Sequence, residues 1–88
     1  MHNTPATTSE RRRHEKHRRA VADANARAGR RLKQIRRERK LSQQAIARML
    51  GISFQQVQKY EQSIDQLSAG AVYRLAEMLG IEIGSFFE

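Results

Sequence analysis

Eighty-eight residues leave room for one small domain and a modest core, and 17 Lys+Arg against 9 Asp+Glu give a formal charge of +8. The absence of cysteine excludes disulfides and thiolate metal sites. No apolar run approaches the ~18 residues of a membrane span, and no apolar core follows the basic stretch as it would in a signal peptide.

The charge is unevenly spread. Residues 11–40 carry 14 basic side chains against three acidic ones (Glu15, Asp23, Glu38), a balance of +11, while residues 41–88 carry three against five, a balance of −2. An anionic partner is therefore drawn mainly to the first half. A reducing cytoplasm is the expected setting.

Residues 1–9 (MHNTPATTS) are polar, hold the only proline, and read as disordered. Residues 10–28 contain helix formers but a thin apolar face of Ala20, Val21, Ala24 and Ala28. They read as a solvated basic tail, with a frayed helix or one ordered on binding as the alternative. Residues 1–28 are thus set apart from a folded domain over 29–88. From Gly29, the spacing of Leu32 and Ile35 predicts a first helix over about residues 29–39.

A second helix starts at Ser42, a suitable N-cap. Its buried stripe is Ile46, Met49 and Leu50, and Gly51 supplies the left-handed stop. The N-cap signature recurs at Ser53, where Gln56 would complete a capping box, and again at Ser68. The fourth helix carries Val72, Leu75, Ala76 and Leu79 and ends at Gly80. A closing turn offers Ile81, Ile83, Phe86 and Phe87, an apolar seam suited to core or dimer contacts. Nothing alternates with period two, so the domain is expected to be all-α.

Two short helices joined through Gly51-Ile52-Ser53 match helix-turn-helix geometry. In the second of them Val57 and Tyr60 fix the inward face. At ~100° per residue, Phe54, Gln55, Gln58 and Lys59 then fall outside. A face that merely dissolves usually carries Glu and Lys. This one carries amides, one cation and an aromatic ring. Glutamine can pair with adenine N6 and N7 in the major groove, and an apolar group can touch a thymine methyl.

The run GRRLKQIRRERKLSQQAIARMLGIS, continued by QQVQKYE and LAEMLGI, resembles the Cro/lambda-repressor-like helix-turn-helix regulators, also called the xenobiotic-response-element family. The resemblance covers about residues 29–88. Leu41-Ser42-Gln43, Ala47, Leu50-Gly51, Val57, Glu61 and Leu75-Ala76 sit at the family's spacings. It implies a compact five-helix fold, dimeric binding to a palindromic operator, and no catalysis. The helix of about residues 54–61 would enter the major groove, with Phe54, Gln55, Gln58 and Lys59 facing base edges.

By the same resemblance Gln43 and Ser53 would hold the DNA backbone and Arg36 with Glu61 would form a structural salt bridge; Arg31 and Lys40 are further candidates for backbone contact. The chain departs from the family after Glu61. Ser63 stands where glycine is usual, so it must adopt glycine's conformation, and Asp65 would lie near phosphates. The resemblance also implies a bacterial or phage protein that is cytoplasmic and nucleoid-associated.

Other chemistries have little support. Residues 29–88 contain neither His nor Cys and no glycine-rich phosphate loop, so a nucleophile would lack a base, and no cofactor is expected. His14 and His17 stand three apart without a third ligand and read as a solvated face rather than a metal site. The Arg11–Arg19 run lacks the large apolar residues of a membrane-surface helix. The preferred function is a sequence-specific double-stranded DNA-binding regulator, a repressor acting as a homodimer. The alternative is an antitoxin-type protein that binds a partner, through the N-terminal tail, and autoregulates its operon.

Overall fold

The structure, a computed structural model, describes residues 7–88. Most of the N-terminal segment expected to be disordered lies outside the described residues. Every regular element among the described residues is helical: α1 (Thr8–Glu38), α2 (Gln43–Leu50), α3 (Phe54–Glu61), α4 (Ala69–Leu79) and a 3-10 helix (Ile83–Phe87). The fifth element is thus a single five-residue 3-10 segment rather than an α-helix.

The largest difference from the sequence reading is at the start. Thr7 caps α1 through a complete capping box with Glu10, its hydroxyl accepting from the Glu10 amide at 3.1 Å. The helix then runs unbroken for 31 residues. The segment read as residues 29–39 is therefore the C-terminal third of a longer helix. Residues 10–28 contain no proline and no interior glycine, and alanine and arginine are good helix formers. The sparse apolar face that made them look like a tail limits packing, not helicity. The molecule is consequently elongated, 50 Å long and 24 × 20 Å across.

One core joins all five elements. Ala28, Leu32 and Ile35 of α1 meet Ile46 and Ala47 of α2, Val57 of α3, the four buried residues of α4, Leu67 and Phe86. Phe86 is fully enclosed, which removes it from the expected surface seam; Ile83 and Phe87 remain exposed at 45% and 39%. The core begins at Ala28, so about 30 Å of α1 lies N-terminal to it at 1.5 Å per residue. Asn25 donates to the Gln66 side chain and so fastens the helix to the loop before α4.

The helix ends share one design. Ser42, Ser53 and Ser68 each accept an amide hydrogen bond three residues on, at 3.0, 3.2 and 3.0 Å. At the other ends a left-handed residue lets the chain reverse. Gly51 and Gly80 fill this place at φ 67° and 65°, but after α1 and α3 it is filled by Lys40 at 56° and Ser63 at 60°.

Candidate nucleic-acid interface

The α2–α3 unit presents one helix on the surface and braces it from behind. Gly51 takes φ 67° and the Ile52 amide reaches back to the Ala47 carbonyl at 3.0 Å, which closes α2 tightly enough for α3 to start two residues later. Val57 is fully buried beneath α3, with Tyr60 half-buried beside it.

The brace is polar as well as apolar. Arg36 of α1 grips Glu61 with two hydrogen bonds, Nε to Oε2 at 2.6 Å and Nη2 to Oε1 at 3.0 Å. Its remaining nitrogen, Nη1, donates to the Leu41 carbonyl at 3.1 Å, and the Gln43 amide donates to Glu61 Oε1 at 3.1 Å. One carboxylate, 2% exposed, therefore ties α1, α2 and α3 together. The hydrogen bond to Glu61 is the main reason the Arg36 pKa is raised; burial opposes it, and Coulombic attraction to Glu61 adds to it. No buried side-chain nitrogen or oxygen among the described residues lacks a partner.

The outer side of α3 is different. Gln55 and Lys59 are exposed, Gln58 is half-buried, and Phe54 is 36% exposed at the first turn. Among the described residues, the side chains of Gln55, Gln58 and Lys59 make no hydrogen bond. Gln62 follows Gln55 by seven residues and extends the same strip. The sequence reading passes over it, although its i, i+7 spacing is the signal. Gln56 departs from expectation. Its backbone amide meets the Ser53 hydroxyl, but its side chain reaches Asp65 Oδ2 at 3.0 Å instead of closing a capping box. That bond gives Asp65 a partner within the protein.

Ser63 adopts the left-handed conformation that glycine would take. Its amide meets the Tyr60 carbonyl at 3.1 Å and the Ile64 amide meets that of Lys59 at 2.9 Å, so α3 ends in the same tight reversal without glycine. Glycine is instead required on the opposite helix. A Cβ at Gly29 would lie 2.3 Å from the Tyr60 carbonyl oxygen, so α1 and α3 touch backbone to backbone there. An isolated glycine inside a helical pattern was the available signal.

The four residues expected at a DNA backbone occupy unlike positions. Ser53 and Lys40 are exposed, Ser53 beside the outer strip of α3 and Lys40 at the end of α1. Gln43 is half-buried and held by Glu61. Arg31 is turned about 160° round α1 from Gly29, away from α3, and its Nε donates to the Ser85 carbonyl at 3.2 Å. It fastens the 3-10 helix to α1. Arg39 does similar work at the end of α4, donating to the Leu79 carbonyl at 2.6 Å.

The family model described as helix-turn-helix matches residues 32–86. The chain belongs to the helix-turn-helix family. Three of the curated proteins it resembles are named as transcriptional regulators. The uncharacterized transcriptional regulator in the ATPase CF(0) region of Rhodospirillum rubrum is 39% identical over 69 residues, which is 78% of this chain and 64% of that protein. Two uncharacterized HTH-type transcriptional regulators of Sinorhizobium fredii (strain NBRC 101917 / NGR234) follow. One, y4aM, is 40% identical over 60 residues (68% of this chain, 42% of that protein), and the other, y4wC, is 35% identical over 74 (84% and 52%). The chain thus spans roughly half the length of these relatives. No solved structure matches it significantly. No helix among the described residues is long and apolar enough to cross a membrane.

Proposed function

We propose that the protein is a DNA-binding transcriptional regulator whose α3 enters the major groove of a palindromic operator, and that it acts as a repressor. The observation that carries this reading is the division of polar groups on α3. Its inward carboxylate is fully engaged by Arg36 and Gln43, while Gln55, Gln58 and Lys59 stand outside with spare donors and acceptors. Amides so placed can read adenine edges, Lys59 can reach guanine or phosphate, and Phe54 can touch a thymine methyl. Ser53, at the start of α3, and Lys40 and Gln43 supply contacts that set the register.

A single helix reads few base pairs, so the reading includes a homodimer that sets two α3 helices about 34 Å apart in successive major grooves. Exposed Ile83 and Phe87 on the 3-10 helix and Tyr73 on α4 supply an apolar seam, beside a shallow cleft between the two elements that is lined by Tyr73, Ala76, Ile81 and Ile83 and edged by Glu77 and Glu82. The family name and the relatives' names as regulators agree with this reading.

The test is selection of bound duplexes from a random pool, followed by titration of Gln55→Ala and Gln58→Ala. Each variant should lose about 1–3 kcal/mol on the enriched duplex, far less on random DNA, at unchanged melting temperature. Equal loss on both duplexes would mean the glutamines are generic contacts. A protein that enriches nothing from the pool but copurifies with a stoichiometric small partner would favour the antitoxin-type reading.

A further inference from the structure

The N-terminal half of α1 is an extended surface that the proposed α3 contacts leave unused. Its residues from Thr8 to Asp23 are almost all exposed, and their side chains pack against none of the buried core. Because α1 is one continuous helix, the angular position of each side chain follows from the packed end at about 100° per residue. The line through Val21, Asn25, Ala28 and Leu32 continues the core-facing stripe. On the opposite side the positions 12, 16, 19, 23, 27, 30, 34 and 37 advance by threes and fours and stay within about 80° of arc. They are Arg12, Lys16, Arg19, Asp23, Arg27, Arg30, Gln34 and Arg37. Six of the eight are cationic and only Asp23 is acidic. A face that serves only solubility mixes its charges, as the exposed face of α4 does where Arg74 pairs with Glu77 at 2.7 Å.

The C-terminal end of this ridge adjoins the proposed reading helix. Arg30, Lys33, Gln34 and Arg37 line a shallow cleft together with Glu38, which accepts from Gln34 at 3.1 Å, and with Glu61, the last residue of α3. From there the ridge runs outward to Arg12, about 27 Å away along the axis, or nearly eight phosphate spacings of one DNA strand. The pair of Arg19 with Glu15, at 3.4 Å and mostly exposed, is weak enough for a phosphate to displace.

We propose that this ridge is a second contact surface for the phosphate backbone, which carries the bound duplex beyond the base pairs read by α3. The inference rests on the DNA-binding reading above and adds to it a sequence-independent contact with flanking DNA. A helix fits this role because its periodicity gathers the cations on one side.

The experiment compares two duplexes with the full chain: the enriched sequence trimmed to the base pairs it specifies, and the same sequence with about one helical turn added at each end. Wild-type protein should bind the flanked duplex more tightly, with a steeper dependence on salt, by about 0.9 in log–log slope for each extra phosphate neutralised. The triple variant Arg12→Gln, Lys16→Gln, Arg19→Gln should remove that difference, while its affinity for the trimmed duplex stays within about twofold and the enriched sequence is unchanged. Arg12→Lys with Arg19→Lys should keep the difference, because the contact is to charge. These positions lie outside the core, so melting temperature should not move.

Equal wild-type affinity for the two duplexes, or an equal loss on both in the triple variant, overturns the inference while leaving the α3 reading intact. A single-stranded RNA that outcompetes the flanked duplex and loses its advantage in the triple variant assigns the ridge to RNA and also overturns it. Failure to bind any duplex removes the α3 reading and this one together.

Discussion

Both sides of α3 carry polar side chains, and the two sets behave in opposite ways. On the inner side Glu61 accepts from Arg36 and Gln43, and every donor that faces it is used. On the outer side the side chains of Gln55, Gln58 and Lys59 have no hydrogen-bond partner among the described residues. A polar side chain on a short surface helix therefore says little by itself. Whether it holds the fold or is free for a ligand depends on what the neighbouring helix presents to it. Here Arg36 decides, because it reaches across from α1 and leaves only the outer strip unclaimed.

Removing the inner anchor is the harshest way to test this contrast. Glu61→Ala would strand the Arg36 guanidinium, only 14% exposed, and leave Gln43 without its acceptor. Loss of one member of such a pair should cost about 3 kcal/mol in a denaturant titration. Binding to specific and random duplexes should fall together, as far as the fold does. A large specific loss at unchanged stability would place Glu61 on the reading side instead.

Gly29→Ala comes next, and its sign is informative. Helix propensity alone favours alanine by about 1 kcal/mol. The new Cβ would meet the Tyr60 carbonyl at 2.3 Å, a backbone atom that cannot turn aside. Overpacking of this kind costs about 1–3 kcal/mol, so with the propensity gain subtracted the expected net effect is destabilisation by up to about 2 kcal/mol, read as a lowered melting temperature. A stabilised variant would mean that α1 and α3 can part without penalty, and the inner side would then be far softer than described.

Ser63→Gly should act the other way. Serine at φ 60° bears the cost of a left-handed residue, about 1–2 kcal/mol, which glycine escapes. Glycine also gains freedom in the unfolded chain, which returns about 0.4–1 kcal/mol. A stabilisation of about 0.5 kcal/mol is expected. The Ser63 hydroxyl makes none of the side-chain hydrogen bonds in the structure, so little else changes. Lys40→Gly at φ 56° offers a parallel case.

The smallest effect is one of pH. The Arg36 pKa is raised, chiefly by its hydrogen bonds to Glu61. A cation whose folded pKa exceeds its unfolded one stabilises fully below the unfolded value, and loses that contribution only as pH rises through the folded value. Both lie far above neutrality for a guanidinium. The stability difference between wild type and Arg36→Gln should therefore stay flat from about pH 7 to 10. A difference that shrinks across that window would show that the pair is not what holds α1 to α3.

Much of this arrangement was legible in the residues. Serine caps at Ser42, Ser53 and Ser68 and the Gly51 and Gly80 stops mark helix ends wherever the capping chemistry is local. The stripe of Val72, Leu75, Ala76 and Leu79 is buried as its spacing implies. Local rules could not supply the pairings across elements. Nothing at Gln56 distinguishes a capping box from a bond to Asp65, because the Ser53 backbone amide, a donor, and the Asp65 carboxylate, an acceptor, both lie within reach of one flexible side chain. Nothing at Arg31 distinguishes a cation awaiting phosphate from one bound to a carbonyl 54 residues away. The start of α1 is obscured for another reason: a sparse apolar face gives no sign of packing, although alanine and arginine favour a helix in water as well. The outer strip of α3 was legible because an exposed helix face depends on periodicity alone.

The length of α1 has a consequence for how the molecule opens. The amides of residues 28–38 sit over the core, and exchanging their hydrogens for deuterium requires the whole domain to come apart. The amides from Thr8 to about Asn25 belong to the same helix, yet the chief tertiary fastening there is the bond between Asn25 and Gln66. They can exchange by unwinding from the free end, at a small fraction of the global free energy. One helix thus contains two units of cooperativity, with their border near Ala28. Protection measured residue by residue should fall along α1 as a gradient toward Thr8, and a bound polyanion should raise that lower end first.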